Sequence, residues 1–302
     1  MSVAVAIAIL ASACSGQGGI GNSSMGSVPG VSSIGLATNP YMQDFIGPNI
    51  HRYFHLVLGK DKNGRAHRDV NSSNFTWVAV FGDTDANAEA DCPSTWKVIG
   101  GGTNTSNVTF VGIGHYNSDK TGWIAPATSG GKSEAFASCV APTTYSDYFE
   151  WVATSGSGGA TVTCDSGYDL VMGYGSTATG HVGVEYPVYG SGAGKNEFVL
   201  DGSSSGTVTA HASCVRDSEA VIVHDVWGDG SSIAACPETG SLPYIIIGGS
   251  MGNGDYPGPP LEEYPTGTGS GNNNEWHTFN FNWPNSTTPV LAHAVCAPVT
   301  ST

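Results

Sequence analysis

Short runs in which large apolar residues alternate with alanine, serine, threonine or glycine recur along the chain, separated by turn-forming residues. Such period-two alternation puts successive side chains on opposite faces of a strand. The clearest runs end in cysteine: Ala135-Phe136-Ala137-Ser138-Cys139, Ala210-His211-Ala212-Ser213-Cys214 and Ala292-His293-Ala294-Val295-Cys296. Each reads as a buried strand. His211 and His293 stand where the first run has Phe136, so they are read as packing residues.

Three more strands precede each closing run. The first is Phe75 to Phe81, Tyr148 to Thr154, or the stretch from Ala220 (AVIVHDV). The second follows an opening cysteine: Trp96 to Ile99, Tyr168 to Met172, or Tyr244 to Ile247. Glycines end each of these, marking a bulge or a close backbone approach. The third lies around Trp123, Phe198 or Trp276. The opening cysteines Cys92, Cys164 and Cys236 stand 72 residues apart, and a fixed period sets the architecture. Units of four or five strands are expected at about 73–142, 146–217 and 218–300. No linker separates them, since Cys214 is followed by VRDSE and then directly by the next strand. The expected fold is all-β: three tandem disulfide-framed repeats fused into one pseudo-threefold, β-prism-like body over 73–302. Before it come an N-terminal strand and Gly/Ser-rich arm (1–38) and a β-hairpin region (39–72).

Composition agrees with that class. Of 302 residues, 12% are charged and 43 are glycine, and no long stretch carries helical periodicity. At 39% hydrophobic the chain can bury a core. A net charge of −15 argues against nucleic acid and anionic membrane surfaces as partners. No apolar run approaches the ~20 residues that a membrane-spanning helix needs.

Treating the units alike pairs Cys92 with Cys139, Cys164 with Cys214 and Cys236 with Cys296, leaving Cys14. Six cysteines allow 15 connectivities, so repetition, not spacing, selects this one. Three bridges point to an extracellular or cell-surface location.

At the amino end, Val3, Val5, Ile7 and Ile9 alternate with Ala4, Ala6 and Ala8. That pattern suits a strand. A secretory or lipoprotein signal ending at Ala13, with Cys14 acylated, is the competing reading, but no Lys or Arg precedes the apolar run. Residues 15–35 are Gly/Ser-rich and read as an extended linker. The stretch 52–70 reads as a hairpin turning at Asn63-Gly64. Five of the ten Lys/Arg (Arg52, Lys60, Lys62, Arg65, Arg68) lie within residues 1–70, against three acids. A basic face that meets an acidic body on a neighbouring copy is one reading, a solvated hairpin tip the other.

Candidate chemistry is sparse. Asp83, Asp85, Asn87 and Glu89 resemble the start of a calcium loop, yet Ala88 stands where that loop needs glycine and Ser94 where it needs glutamate. Calcium is therefore the one cofactor weighed, beside a plain acidic loop. Six N-x-S/T sequons occur, at Asn22, Asn71, Asn74, Asn104, Asn107 and Asn285. The third unit has its cysteines 60 apart, with an insertion from Gly252 to Asn274 that is expected to be a surface loop showing Tyr256, Glu262, Glu263 and Tyr264. Two G-x-S-x-G matches, at Ser204 and Ser250, sit on no strand-to-helix turn. Gly131-Lys132-Ser133 lacks the rest of a P-loop, and His224-Asp225 lacks a nucleophile. No catalytic residue is assigned, and an enzyme is not expected.

The pattern Cys92-Pro93, Val98-x-Gly100-Gly101, Ala135-x-Ala137-x-Cys139 resembles cysteine-framed tandem β-repeats of bacterial secreted and cell-surface proteins of the filament type. The resemblance covers about 73–300; the second unit departs from it at Asp165 and Tyr174. It implies no transferable chemistry. The expected function is a structural subunit of an extracellular fibre, polymerising through its N-terminal strand with copies of itself. A carbohydrate-binding adhesin is the alternative.

Overall fold

The computed structural model describes residues 53–58, 63, 73–105, 114–126, 131–177, 184–188, 196–201, 206–216, 221–237, 244–253, 261–266, 274–280 and 289–300. These residues are almost wholly strand. After β1 (Tyr53–Leu56), a first segment runs β2 (Phe75–Phe81), β3 (Ala88–Asp91), β4 (Lys97–Thr105), β5 (His115–Tyr116), β6 (Gly122–Ala125) and β7 (Ser133–Val140). One short helix, α1 (Pro142–Tyr148), leads to β8 (Phe149–Ser157), β9 (Gly159–Thr163), β10 (Tyr168–Thr177), β11 (Val184–Val188), β12 (Glu197–Asp201) and β13 (Thr207–Arg216). The last segment is β14 (Ile222–Asp229), β15 (Ser231–Ala235), β16 (Tyr244–Asn253), β17 (Leu261–Thr266), β18 (Glu275–Asn280) and β19 (Pro289–Thr300).

Each segment pairs its strands in the same antiparallel order. The closing strand lies between the first and third, giving β2-β7-β4, β8-β13-β10 and β14-β19-β16. The fifth lies between the second and fourth, giving β3-β6-β5, β9-β12-β11 and β15-β18-β17. The closing strands are thus central, which is why they alternate large with small and not apolar with polar. All eight residues of β7 are buried.

The glycine-rich third strands do not stop at their glycines, as the sequence suggests, but continue through them. Both roles expected of glycine are present. A bulge displaces the register between Val98 and Gly100, Leu170 and Met172, and Ile246 and Gly248. The bulged residues Ile99, Val171 and Ile247 are fully buried in one shared core cluster. Beyond each bulge a glycine admits a large ring: a Cβ on Gly101, Gly173 or Gly249 would stand 2.1 Å from Trp123, 2.1 Å from Phe198 or 2.3 Å from Trp276. β4, β10 and β16 also lie against one another.

Segments are tied across their boundaries. Trp151 Nε1 on β8 donates to the Val98 carbonyl at 2.9 Å, and Trp77 Nε1 on β2 donates to the Ile246 carbonyl at 2.8 Å. The Ser213 hydroxyl donates to the Ile99 carbonyl. β17 touches β4 at Glu263–Thr103, and β1 pairs with both β2 and β19, so ten strands join in one sheet. The disulfides Cys92–Cys139, Cys164–Cys214 and Cys236–Cys296 pin each closing strand to the residue that follows its segment's second strand. In the chain-entropy model each contributes about 4 kcal/mol.

Three expectations are corrected. Each segment has six strands, not four or five. The 252–274 insertion is not wholly loop: β17 lies within it, its Pro265 opposite Trp276. The equivalent proline, Pro187, sits on β11 at the edge of its sheet, where a missing N–H costs no ladder bond. Finally, a helix forms at Pro142–Tyr148, with proline in its first turn and Thr144 and Tyr148 buried. Its seven residues are too few to show a period. Among the described residues no helix is long and apolar enough to cross a membrane.

Candidate functional site

The expected assembly strand Val3, Val5, Ile7 and Ile9, together with Cys14, lies outside the described residues, as do Arg52, Lys60, Lys62, Arg65, Arg68 and Tyr256. So do the sequons Asn22, Asn71, Asn107 and Asn285. Asn74 and Asn104 are described, and both are buried. Asn74 is buried with its Oδ1 accepting from the Leu56 N–H at 2.7 Å. Asn104 is fully buried on β4 beside Glu134. Burial pushes the Glu134 carboxyl well above the usual carboxylate range, and neighbouring Asn104 offsets part of that shift.

The acidic run is the turn between β2 and β3. Asp85 has φ +61°, a left-handed conformation that aspartate tolerates better than most residues, and its N–H donates to the Gly131 carbonyl. Asp83, Asp85 and Asn87 are exposed, and Glu89 on β3 accepts from Asn117 at 3.1 Å. Among the described residues no group of three or more His, Cys, Asp or Glu converges on a metal-sized site. The other segments make this connection with glycines, Gly158 (φ +75°) and Gly230 (φ +71°). The asparagines and aspartates of the first are turn chemistry for the same bend.

Apart from Trp227, the described aromatic residues with assigned burial are buried or half-buried. Tyr116 on β5 packs edge-on against Trp151 and Tyr174, and Tyr174 stacks on His211 at 4.7 Å. The Tyr116 hydroxyl pairs with His211 Nδ1 at 3.1 Å. Burial, then Lys120 and His115, holds His211 down to about 4, so it is neutral at neutral pH. Burial also raises the Tyr174 hydroxyl. With its polar atoms matched, this cluster ties β5 to the second segment, and His211 packs half-buried within it. His293 is fully buried and shares a 2.5 Å hydrogen bond with Asp225, which therefore partners β19 and not its sequence neighbour His224. Ser250 is buried on β16, where it has no access to a substrate.

One surface breaks the rule. The exposed large hydrophobic residues among those described are Val226 (37%), Trp227 (56%) and Ile233 (44%), all on the β14–β15 hairpin. β14 ends the ten-stranded sheet, and among the described residues it pairs with β19 alone. In the same register the β8–β9 hairpin of the second segment carries Thr154, Ser155 and Thr161. A bare edge beside exposed apolar side chains is a template for another chain. Sequence reading took AVIVHDV as an ordinary first strand and stopped one residue short of Trp227. The missed signal was a tryptophan where the second copy has serine.

What this geometry can do is bind, through an unpaired strand edge and an apolar flank. The chain matches no protein-family model and no curated protein, so neither activity nor partner is inherited from a relative.

Proposed function

We propose that this protein is a structural subunit of an extracellular filament or surface fibre, joined head-to-tail to copies of itself through its N-terminal strand. The observation that carries this reading is the contrast between residues 3–9 and the body. An alternating β-branched stretch is separated by a Gly/Ser-rich arm from strands stapled by three disulfides. Free in water, such a stretch is an aggregation hazard; added to a neighbour's sheet it makes a polymer, because a contact that does not close generates a fibre. The bridges are compatible with an oxidising, extracellular setting. The recurring strand order and the convergence of Ile99, Val171 and Ile247 favour a pseudo-threefold, β-prism-like body. Deleting Met1 to Cys14 tests the function by electron microscopy: fibres should vanish. If the truncated protein forms the same fibres, or the intact protein stays monomeric at high concentration, the reading is wrong.

A second reading, a carbohydrate-binding adhesin, is favoured by the exposed Trp227 ring with Asp225 two residues away on the same strand. Trp227 would stack on a sugar face while the carboxylate binds hydroxyls. A glycan array with saturable binding lost in W227A would support it.

A further inference from the structure

Polymerisation through an added strand needs an acceptor as well as a donor. We propose that the acceptor is the free edge of β14, which receives residues Val3–Ile9 of a second copy. This deepens the filament reading and rests on it.

Three observations select β14. The first is the side chains it shows. Val226 and Trp227 point to opposite faces of the strand, and both remain exposed. An incoming strand would give each face a neighbouring row, one of Val/Ile and one of alanine, and so bury apolar surface twice. The second is the pattern of the donor. Val3–Ile9 repeats the small-large alternation of the closing strands, whose member β19 already lies along the other side of β14, with Ala292 and Ala294 opposite Val226 and His224. At seven residues it matches the eight of β14. The third is charge. β14 presents the exposed acids Asp225 and Asp229, whereas the chain from 1 to 70 holds five of the ten basic residues against three acids.

The edge is not empty along its whole length. The Val226 carbonyl accepts from Ser232 Oγ at 2.5 Å, so an added strand must share or displace that bond. Reach sets no obstacle: residues 10–52, fully extended, span up to about 140 Å, far beyond the body itself. The same reach would allow self-insertion, which would leave a monomer, so the experiment must separate the two.

Two full-length variants provide it. V226T/W227S/I233T keeps the donor but gives the edge the β8–β9 surface; V5K/I7K keeps the edge but puts charge in the donor. Alone, each should lose fibres, with the fraction polymerised falling at least about tenfold, while the melting temperature of the edge variant stays near that of the intact protein. Mixed, they should form a 1:1 dimer and no polymer, read by sedimentation. If the edge variant does not fold, W227S alone is used, with an expected tenfold rise in the concentration at which fibres appear. Fibres that survive the edge variant while V5K/I7K abolishes them leave the filament reading standing and overturn β14 as acceptor. So does a mixture that yields no dimer. Glycan binding lost with W227S while fibres persist also overturns it, in favour of the adhesin. An intact protein that never polymerises overturns both proposals.

Discussion

The β8–β9 and β14–β15 hairpins are built on one backbone and dressed for different surroundings. In both, a Cβ on the glycine before the turn would collide with a carbonyl across it, at 1.9 Å for Gly156 and 2.1 Å for Gly228. In both, a second glycine supplies the positive φ that the tight bend requires. The β8–β9 edge is polar and tied to its own sheet: Ser155 Oγ shares a 2.8 Å hydrogen bond with Thr209 Oγ1 of β13. The β14–β15 edge replaces Thr154, Ser155 and Thr161 by Val226, Trp227 and Ile233. Backbone pairing does not demand that change, because the polar version folds the same way. Under the proposed function, the difference is what an acceptor edge would need.

Breaking the frames comes first, as the largest expected effect. C164S/C214S and C236S/C296S should each cost about 4 kcal/mol of unfolding free energy, from loops of 50 and 60 residues. Denaturant titration should find the two losses within about 0.5 kcal/mol, given the weak dependence on loop length. A much larger loss in one segment would mean that the hairpins sit on unequal frames. Gly173→Ala and Gly249→Ala come next, at about 1–3 kcal/mol from overpacking. Gly249→Ala should be the worse of the two, because its Cβ also meets the His293 carbonyl oxygen at 2.5 Å, and backbone yields less than a ring.

The closing-strand histidines sharpen the comparison through pH. Burial depresses both His211 and His293 below 6.5 in the folded protein, so folding favours their neutral forms. The unfolded chain takes up protons below about 6.5, so this contribution is complete above that pH. It is lost as the pH falls, for His211 down to about 4. H211F, which installs the Phe136 solution, should flatten the fall in melting temperature between pH 6.5 and 4. An unchanged slope would remove His211 from the account. The smallest effect is expected of D225N. The Asp225 side chain is 40% exposed, so losing its charge on His293 should cost about 1 kcal/mol or less by thermal melts.

Legibility followed burial on two sides. The closing strands announced themselves because both faces are packed, which forces alanine opposite large residues, and the glycines were readable because bulge and ring contact leave no other residue type. The second strands β3, β9 and β15 were missed because AEAD, GATVT and SSIAA offer little apolar contrast. The fourth strands were hidden by proline and glycine, although Glu-Tyr-Pro recurs at 185–187 and 263–265, both times on a strand. Asn104 looked like a surface sequon because tripeptides carry no information on which face of β4 a side chain takes. Trp227 was missed because AVIVHDV already satisfies a strand pattern and the tryptophan lies one residue beyond it.

β1 pairs with β2 at Tyr53–Thr76 and with β19 at His55–Thr300, so the earliest described strand meets the last. A polypeptide emerging amino end first therefore cannot complete this sheet until Thr300 has appeared. The same strand, β19, also forms the floor on which β14 lies. Under the filament reading, a chain made amino end first presents Val3–Ile9 before its own β14 edge is complete. On that reading a chain lacking β19 could be donated to a fibre but could not extend it, because its own β14 has no strand to pair with.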